Sequence, residues 1–239
     1  MIEPNPESLS FNERIAAHVM STAQIREVDR RAVEQYQMHS LVLMENAALG
    51  CVHWLRKRLG RPFKAVILCG AGNNGGDGLA IARHLQVWGA KCRVYLPRSL
   101  ERMSSDAHAN WQILKHSNPH ICDTSQSPDS LRADLADADL ILDAMLGTGA
   151  AGDPREPFAS WIAMANVTQG LRVAIDIPTG VNAETGEAGK PHFHAHATLT
   201  FVALKPGMVS EKATQLFGEL VVLPIGIPAG LIESLLAGE

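Results

Sequence analysis

Apolar residues recur at helical spacing through two early stretches, then give way to short β-rich runs separated by helical ones. In STAQIREVDRRAVEQY, residues 21–36, Ile25, Val28 and Ala32 share one helical face, and Ser21 with Gln24 has capping-box spacing. A second helix is predicted after Ser40, through LVLMENAALGCVHWLRKRL, with a basic end that suits the helix dipole. From residue 65 the order is AVILC, helix 78–88, KCRVYLP, helix 104–116, ADLILDA, helix 157–167 and LRVAIDIP. That alternation predicts a parallel sheet covered by helices on both faces. After the turn-rich TGVNAETGEAGKPHFHAH, the runs ATLTFVAL and GELVVLPI are expected to close the same sheet. Residues 1–20 read as an arm, disordered or packed on a neighbouring subunit, and residues 21–239 as one domain.

Composition narrows the partners. With 239 residues, 46% hydrophobic, the chain can bury a substantial core, and 21 basic against 25 acidic residues leave a formal charge of −4. Such a balance supplies no electrostatic footprint for nucleic acid or an anionic membrane, so a small-molecule partner is expected. Cys51, Cys69, Cys92 and Cys122 form no CxxC pair, and the first three sit in apolar patterns. They are expected to be reduced thiols of a cytoplasmic protein. The opening MIEPNPESLSFNER lacks the basic head and apolar core of a secretion signal, and no apolar run approaches membrane-spanning length.

Candidate chemistry begins in CGAGNNGGDG. Gly70, Gly72 and Gly75 satisfy GxGxxG between a predicted strand and a predicted helix, the context of dinucleotide binding. Two details depart from a nicotinamide dehydrogenase. The second strand ends in Leu96, Pro97 and Arg98, with no ribose-binding carboxylate, and Asp77 stands where a pyrophosphate would meet the helix N-terminus. No Lys-Ser or Lys-Thr follows, which excludes a P-loop. Asp77 is either an N-cap or a ligand contact, and Asn73 and Asn74 either tolerate turn geometry or bind. Five glycines between 70 and 78 exceed what a turn needs, and close approach by a ligand accounts for the excess.

Asp143 and Asp176 each close an apolar strand run, which places both at the carboxyl ends of parallel strands, where open α/β sheets bind ligands. Asp77, Asp143 and Asp176 gathered on one edge would repel unless some were protonated or a cation lay among them. The amide of Asn74, the carboxylate of Asp143 and the hydroxyl of Thr179 are hard oxygen donors suited to such a cation. The segment GTGAAGD, residues 147–153, is either a phosphate-wrapping loop or an ordinary strand-to-helix connection.

With NNGGDG, DAMLGTG and IDIPTGVNAETG in order, and LVLMENAA and TFVALKPG as weaker landmarks, the sequence resembles the NAD(P)H-hydrate epimerases, the YjeF N-terminal-domain family. The likeness runs from about residue 20 to Pro228. It implies a Rossmann-like three-layer α/β/α sandwich, usually a homodimer, that interconverts the R and S epimers of hydrated NADH and NADPH. It also implies that Asn73, Asn74, Gly75, Gly76 and Asp77 contact the hydrated dinucleotide, together with Gly147, Thr148, Gly149, Ala150, Ala151, Gly152 and Asp153. Asp176 would contact the substrate near the reacting ring, and Asn74, Asp143 and Thr179 would ligate potassium. Thr179 and Asn182 stand where the family commonly has Ser and Asp, and Ala48 where it has Gly; Thr179 keeps the hydroxyl that potassium needs. Many bacterial members continue into a dehydratase domain, so an NAD(P)H-hydrate dehydratase is the expected functional partner.

The substrate is a hemiaminal, and inverting its hydroxyl-bearing carbon requires a bond to that carbon to break, with an acid and a base at hand. Asp176 is the expected acid–base group, Asp143 the group that holds the cation and shapes the field, and Lys205 a weaker candidate that instead neutralises phosphate or lies on the surface. Arg98 could receive the extra phosphate of NADPH. The alternative is a noncatalytic nucleotide-metabolite-binding or scaffold module of the same fold. His192, His194 and His196 alternate as a metal comb would, a pattern a solvated sheet edge also gives. The tryptophans at 54, 88, 111 and 161 read as packing residues.

Overall fold

The structure, a computed structural model, describes residues 18–118, 121–124, 127–150, 152–210 and 214–237. Helices α1 (Thr22–Glu34) and α2 (Ser40–Leu59) precede β1 (Lys64–Cys69), α3 (Asn73–Val87), β2 (Lys91–Tyr95), α4 (Ser105–Ser117), β3 (Cys122–Asp123) and α5 (Pro128–Ala136). Then come β4 (Leu140–Ala144), α6 (Phe158–Asn166), β5 (Leu171–Ile175), β6 (Ala197–Phe201), a 3-10 turn (Pro206–Val209), α7 (Thr214–Phe217), β7 (Glu219–Leu223) and α8 (Ala229–Ala237). The seven strands form one parallel sheet in the order β3-β2-β1-β4-β5-β6-β7, the expected α/β class.

Both faces of the sheet are buried, which is why its central strands read as continuous apolar runs. On β1, Ala65, Ile67 and Cys69 join the cluster under α2, α3 and α4, while Val66 and Leu68 join the opposite cluster with Leu131 and Leu135 of α5 and Trp161 and Ile162 of α6. Burying a side chain such as Ile67 or Leu68 completely contributes roughly 1.5–3 kcal/mol. A third cluster joins α1 and the start of α2 to α8 through Val28, Leu43, Ala47, Ile225, Ile227 and Leu231.

The predicted capping box at Ser21 and Gln24 forms, and Val28 and Ala32 are the buried positions of α1. The short β3 and helix α5 escape the sequence reading, although Ser127 caps α5 and Pro128 opens it in the ordinary way. Of the arm, Val19 bridges to Leu204 and Met20 is fully buried in its own chain; residues 1–17 lie outside the described residues. The four tryptophans pack as expected: Trp54, Trp88 and Trp111 lie against the first cluster, and Trp161 sits in the second. The histidine comb does not form a strand face, because β6 starts only at Ala197; His192 and His196 hydrogen-bond Gly189 and Arg172 respectively.

The largest departure concerns the glycine turn. Helix α3 starts at Asn73, not at residue 78, with Gly72 as an N-cap that offers no side-chain bond. Asp77 is therefore the fifth helical residue rather than a cap, and it does not compete for the helix terminus. The glycines are explained mainly by the protein's own packing: a Cβ on Gly70 would stand 1.8 Å from the Met145 carbonyl oxygen, and one on Gly75 would stand 1.9 Å from that of Gly70. Close approach of α3 to β1 and β4 outweighs the poor helix propensity of glycine. Only at Gly72 does the ligand account survive, since nothing fills the space beside it and it borders a cleft.

Candidate active site

The carboxyl ends of the strands open on a cleft of about 1060 Å³, at the top of the size range of small-molecule sites, roughly 300–1,000 Å³. It lies where the strand order reverses between β1 and β4, the place an open parallel sheet offers a ligand. Arg26 and Asp29 of α1, Leu43 and Met44 of α2, and Gly72, Asn73, Asn74 and Asp77 at the start of α3 form one side. Gly147, Thr148, Gly149 and Ala150 after β4, Asp176 after β5, and Phe201 and Val202 at the end of β6 form the other. The first backbone amides of α3 have no carbonyl partner within the helix, so an uncapped N-terminus faces the cleft.

Not every expected residue reaches this space. Gly75 and Gly76 are buried inside α3 and do not line the cleft, nor do Gly152 and Asp153. Asp153 accepts the Lys190 amide at 2.8 Å and anchors a neighbouring loop. Ala151 lies outside the described residues. Arg98 is exposed and does not line the cleft, although Pro97 and Ser99 on either side of it do; Arg102 is the basic residue that lines that end.

The three aspartates divide. Asp77 and Asp176 border the cleft, whereas Asp143 is fully buried beneath it, level in register with Leu68 on β1 and Ala174 on β5. Its carboxylate accepts the Thr179 amide at 2.7 Å, the Thr179 hydroxyl at 2.7 Å and the Met145 amide at 3.1 Å. Burial still raises it to about 6, against the pull of those bonds. Thr179 in turn accepts the Leu146 amide at 3.1 Å, so the pair fixes the start of the loop that borders the cleft. For Asp77, burial pushes the carboxyl well above the usual carboxylate range, and the charge of Asp176, then of Asp29 and Asp106, pushes it further.

Asp176 sits in an unusual backbone. Its φ is +65°, and the Ile177 amide donates to the Ile175 carbonyl at 2.8 Å, a γ-turn of the strained hand. The neighbouring strand ends alike: Val202 has φ +67°, with the Ala203 amide donating to Phe201 at 2.8 Å. Left-handed backbone at a residue with a Cβ costs about 1–2 kcal/mol, and strain of this kind gathers at functional sites. Lys205 is neither on the surface nor free for a phosphate: it is buried and paired with Asp176 at 2.6 Å. The repulsion expected among the aspartates is thus relieved in part by a cation of the protein itself.

Sequence reasoning missed Arg26 and Asp29. Both lie beside the apolar Ile25–Val28–Ala32 stripe of α1, and only the docking of that helix across the sheet edge brings them to the cleft. Desolvation there, followed by the charge of Asp176, raises Asp29 to about 6, with Lys205 acting in the opposite sense. Asn74 has both side-chain polar atoms buried, with no hydrogen-bond partner among the described residues. It packs against Gly147, where a Cβ would lie 3.3 Å from its own Cβ and 3.7 Å from Oδ2 of Asp176.

A family profile described as the YjeF-related protein N-terminus matches residues 40–207, a span that holds the glycine turn, Asp143, Asp176 and Thr179. The chain belongs to the YjeF-related N-terminal family. One relative in this family, the NAD(P)H-hydrate epimerase of Rhodopirellula baltica, is 38% identical over 214 residues, covering 90% of this chain and 86% of the relative. The bifunctional NAD(P)H-hydrate repair enzyme of Moorella thermoacetica is 37% identical over 222 residues, 91% of this chain but 42% of that protein. The YjeF-type fold is seen again in the crystal structure of the yeast protein YNL200c, with TM-score 0.72 and 24% identity over 83% of this chain and 86% of that one. Among the described residues no helix is long and apolar enough to cross a membrane, and no three His, Cys, Asp or Glu side chains converge as a metal group.

Proposed function

We propose that this protein is an NAD(P)H-hydrate epimerase, an isomerase that interconverts the R and S forms of hydrated NADH and NADPH in metabolite repair. The observation that carries the reading is the meeting of Asp176, Asp77 and Asp29 on one dinucleotide-sized cleft, in a chain 38% identical over nine-tenths of its length to a protein of that name. The uncapped N-terminus of α3 and the segment Gly147–Ala150 suit the diphosphate. Arg26 suits it too, since its guanidinium lies 3.9 Å from a Cβ placed on Gly149.

In the expulsion route, Asp77, whose carboxyl burial keeps protonated, gives a proton to the ring hydroxyl, water leaves, and an iminium cation remains that the Asp176 carboxylate, held by Lys205, stabilises. Water then adds to the opposite face and gives up a proton, so no redox change occurs and the water is returned. The Asp176 carboxylate takes that proton, and in the reverse direction the two aspartates exchange roles. In the other route the ring opens to an aldehyde and recloses. Heavy-oxygen water separates them, because expulsion incorporates label at every inversion.

Potassium suits the oxygens of Asn74, Asp143 and Thr179, and the unpartnered buried amide of Asn74 is the observation that calls for such an ion. When bound, it supplies a positive charge that offsets Asp143 and fixes Asn74 beside Gly147. Asp143 is then a holding group and not one that touches substrate. Four free cysteines fit a reducing cytoplasm. The apolar side chains that Val33 on α1, Val42 and Leu49 on α2, and Tyr36 in the turn between them expose fit a homodimer, with an NAD(P)H-hydrate dehydratase as functional partner. Light scattering checks the dimer.

The deciding experiment supplies one purified hydrate epimer with potassium and follows the other by chromatography. Conversion without an absorbance change of redox type supports the epimerase. Tight binding with no conversion supports a noncatalytic module instead. Wild-type turnover by Asp176→Asn would remove Asp176 from the mechanism.

A further inference from the structure

The geometry points to Lys205 as a positioning residue that pins one oxygen of Asp176 from beneath the cleft, so that the other oxygen alone is presented to the substrate. This rests on the reading of Asp176 as the acid–base group. Lys205 is 1% exposed and does not line the cleft. Its ammonium donates to Oδ1 of Asp176 at 2.6 Å, to the Phe201 carbonyl at 3.2 Å, and to the Thr200 hydroxyl in a shorter contact. Three donors meet three acceptors, which leaves no hydrogen of Lys205 to offer a ligand.

Thr200 completes the arrangement. Its hydroxyl accepts from Lys205 and donates to the same Oδ1 at 3.3 Å. The register sets this up: Ile175 on β5 pairs with Leu199 on β6, so the next positions, Asp176 and Thr200, stand side by side. The γ-turn at Val202 then folds the chain so that Lys205, three residues later, comes under the end of β5. Both bonds that the Asp176 carboxylate accepts here, from Lys205 and from Thr200, fall on Oδ1. Among the described residues no protein donor reaches Oδ2, which lies on the side of Gly147 and the cleft.

A carboxylate free to rotate presents two equivalent oxygens and must be ordered each time it reacts. Holding one of them removes that requirement before substrate arrives, the kind of preorganisation that governs the chemical step more than binding. Lys205 touches no substrate on this account, so its loss is expected in kcat and not in KM.

Three variants decide the matter: Lys205→Met, Thr200→Val and Asp176→Asn, each assayed on a single hydrate epimer and checked for folding by thermal denaturation. Expected is a kcat about 100-fold lower for Lys205→Met, with KM within about threefold of wild type, and a kcat roughly tenfold lower for Thr200→Val. Wild-type kcat in Lys205→Met, or a rise in KM with kcat preserved, would overturn the positioning role if Asp176→Asn is inactive. Should Asp176→Asn turn over normally, the acid–base reading itself fails, whatever Lys205→Met does. If Lys205→Met does not fold, since removing one partner of a buried ion pair is destabilising, Thr200→Val decides: an unchanged kcat there rejects the inference.

Discussion

The α-carbon of Gly75 lies so close to Gly70 that a Cβ on it would stand 1.9 Å from the Gly70 carbonyl oxygen. The obstruction is backbone, which cannot rotate aside as a side chain can. Gly75→Ala is therefore expected to cost about 3 kcal/mol of stability or to prevent folding. Gly72→Ala, with open space around it, is expected to cost no more than about 1 kcal/mol. Urea denaturation of the two variants measures the difference, and equal losses would contradict the packing account.

Asp29 is held at about 6 in the folded protein, above an ordinary value of about 4. The native state thus keeps a proton that the unfolded chain releases between these values, so its contribution favours folding below the window and falls as pH rises through it. Asp29→Asn should raise Tm at pH 7.5 and leave it unchanged near pH 4. Calorimetry at both pH values checks this, and a gain of the same size at each would show that the carboxyl is not strained by the cleft.

If Asn74, Asp143 and Thr179 hold potassium, ion binding stabilises the folded state by mass action. Tm is expected to be higher in potassium chloride than in choline chloride at equal ionic strength. Asn74→Ala should abolish that difference, because it removes the unpartnered amide oxygen without disturbing the bonds between Asp143 and Thr179. A variant that keeps the full potassium effect would place the ion elsewhere.

Arg26 is a basic side chain at the cleft beside the Gly147–Ala150 segment, in a space otherwise rich in carboxyls. A charge-assisted bond to phosphate contributes about 1.5–3 kcal/mol. Arg26→Ala should raise KM for the hydrate by about tenfold or more with kcat within about threefold, the mark of a group that binds ground and transition states alike. Steady-state kinetics on one epimer tests it, and a loss confined to kcat would assign Arg26 a different part.

The sheet and most of its helices were legible because each strand is an apolar run of strand length between turn formers, and each long helix keeps a periodic face. Asp143 and Asp176 were likewise readable, since each ends such a run. The boundary of α3 was not: five glycines look like a loop, and only the proximity of β1 and β4 makes them helical. Arg26 and Asp29 carried no local signal, because their role arises from where α1 docks. Lys205 was ambiguous for the same reason, its burial being decided by a turn at Val202 that a β-branched residue gives no reason to expect.

The third apolar cluster, which seats α1 against Ile225 and Leu231, has a consequence for biosynthesis. A ribosome that has made β1 through β5 has already produced the glycine turn, Asp143 and Asp176, yet the wall carrying Arg26 and Asp29 still lacks its late-sequence support. Long-range closure of this sort is slow to nucleate. The wall of the cleft that carries Arg26 and Asp29 is thus completed only after Leu231 has left the ribosome.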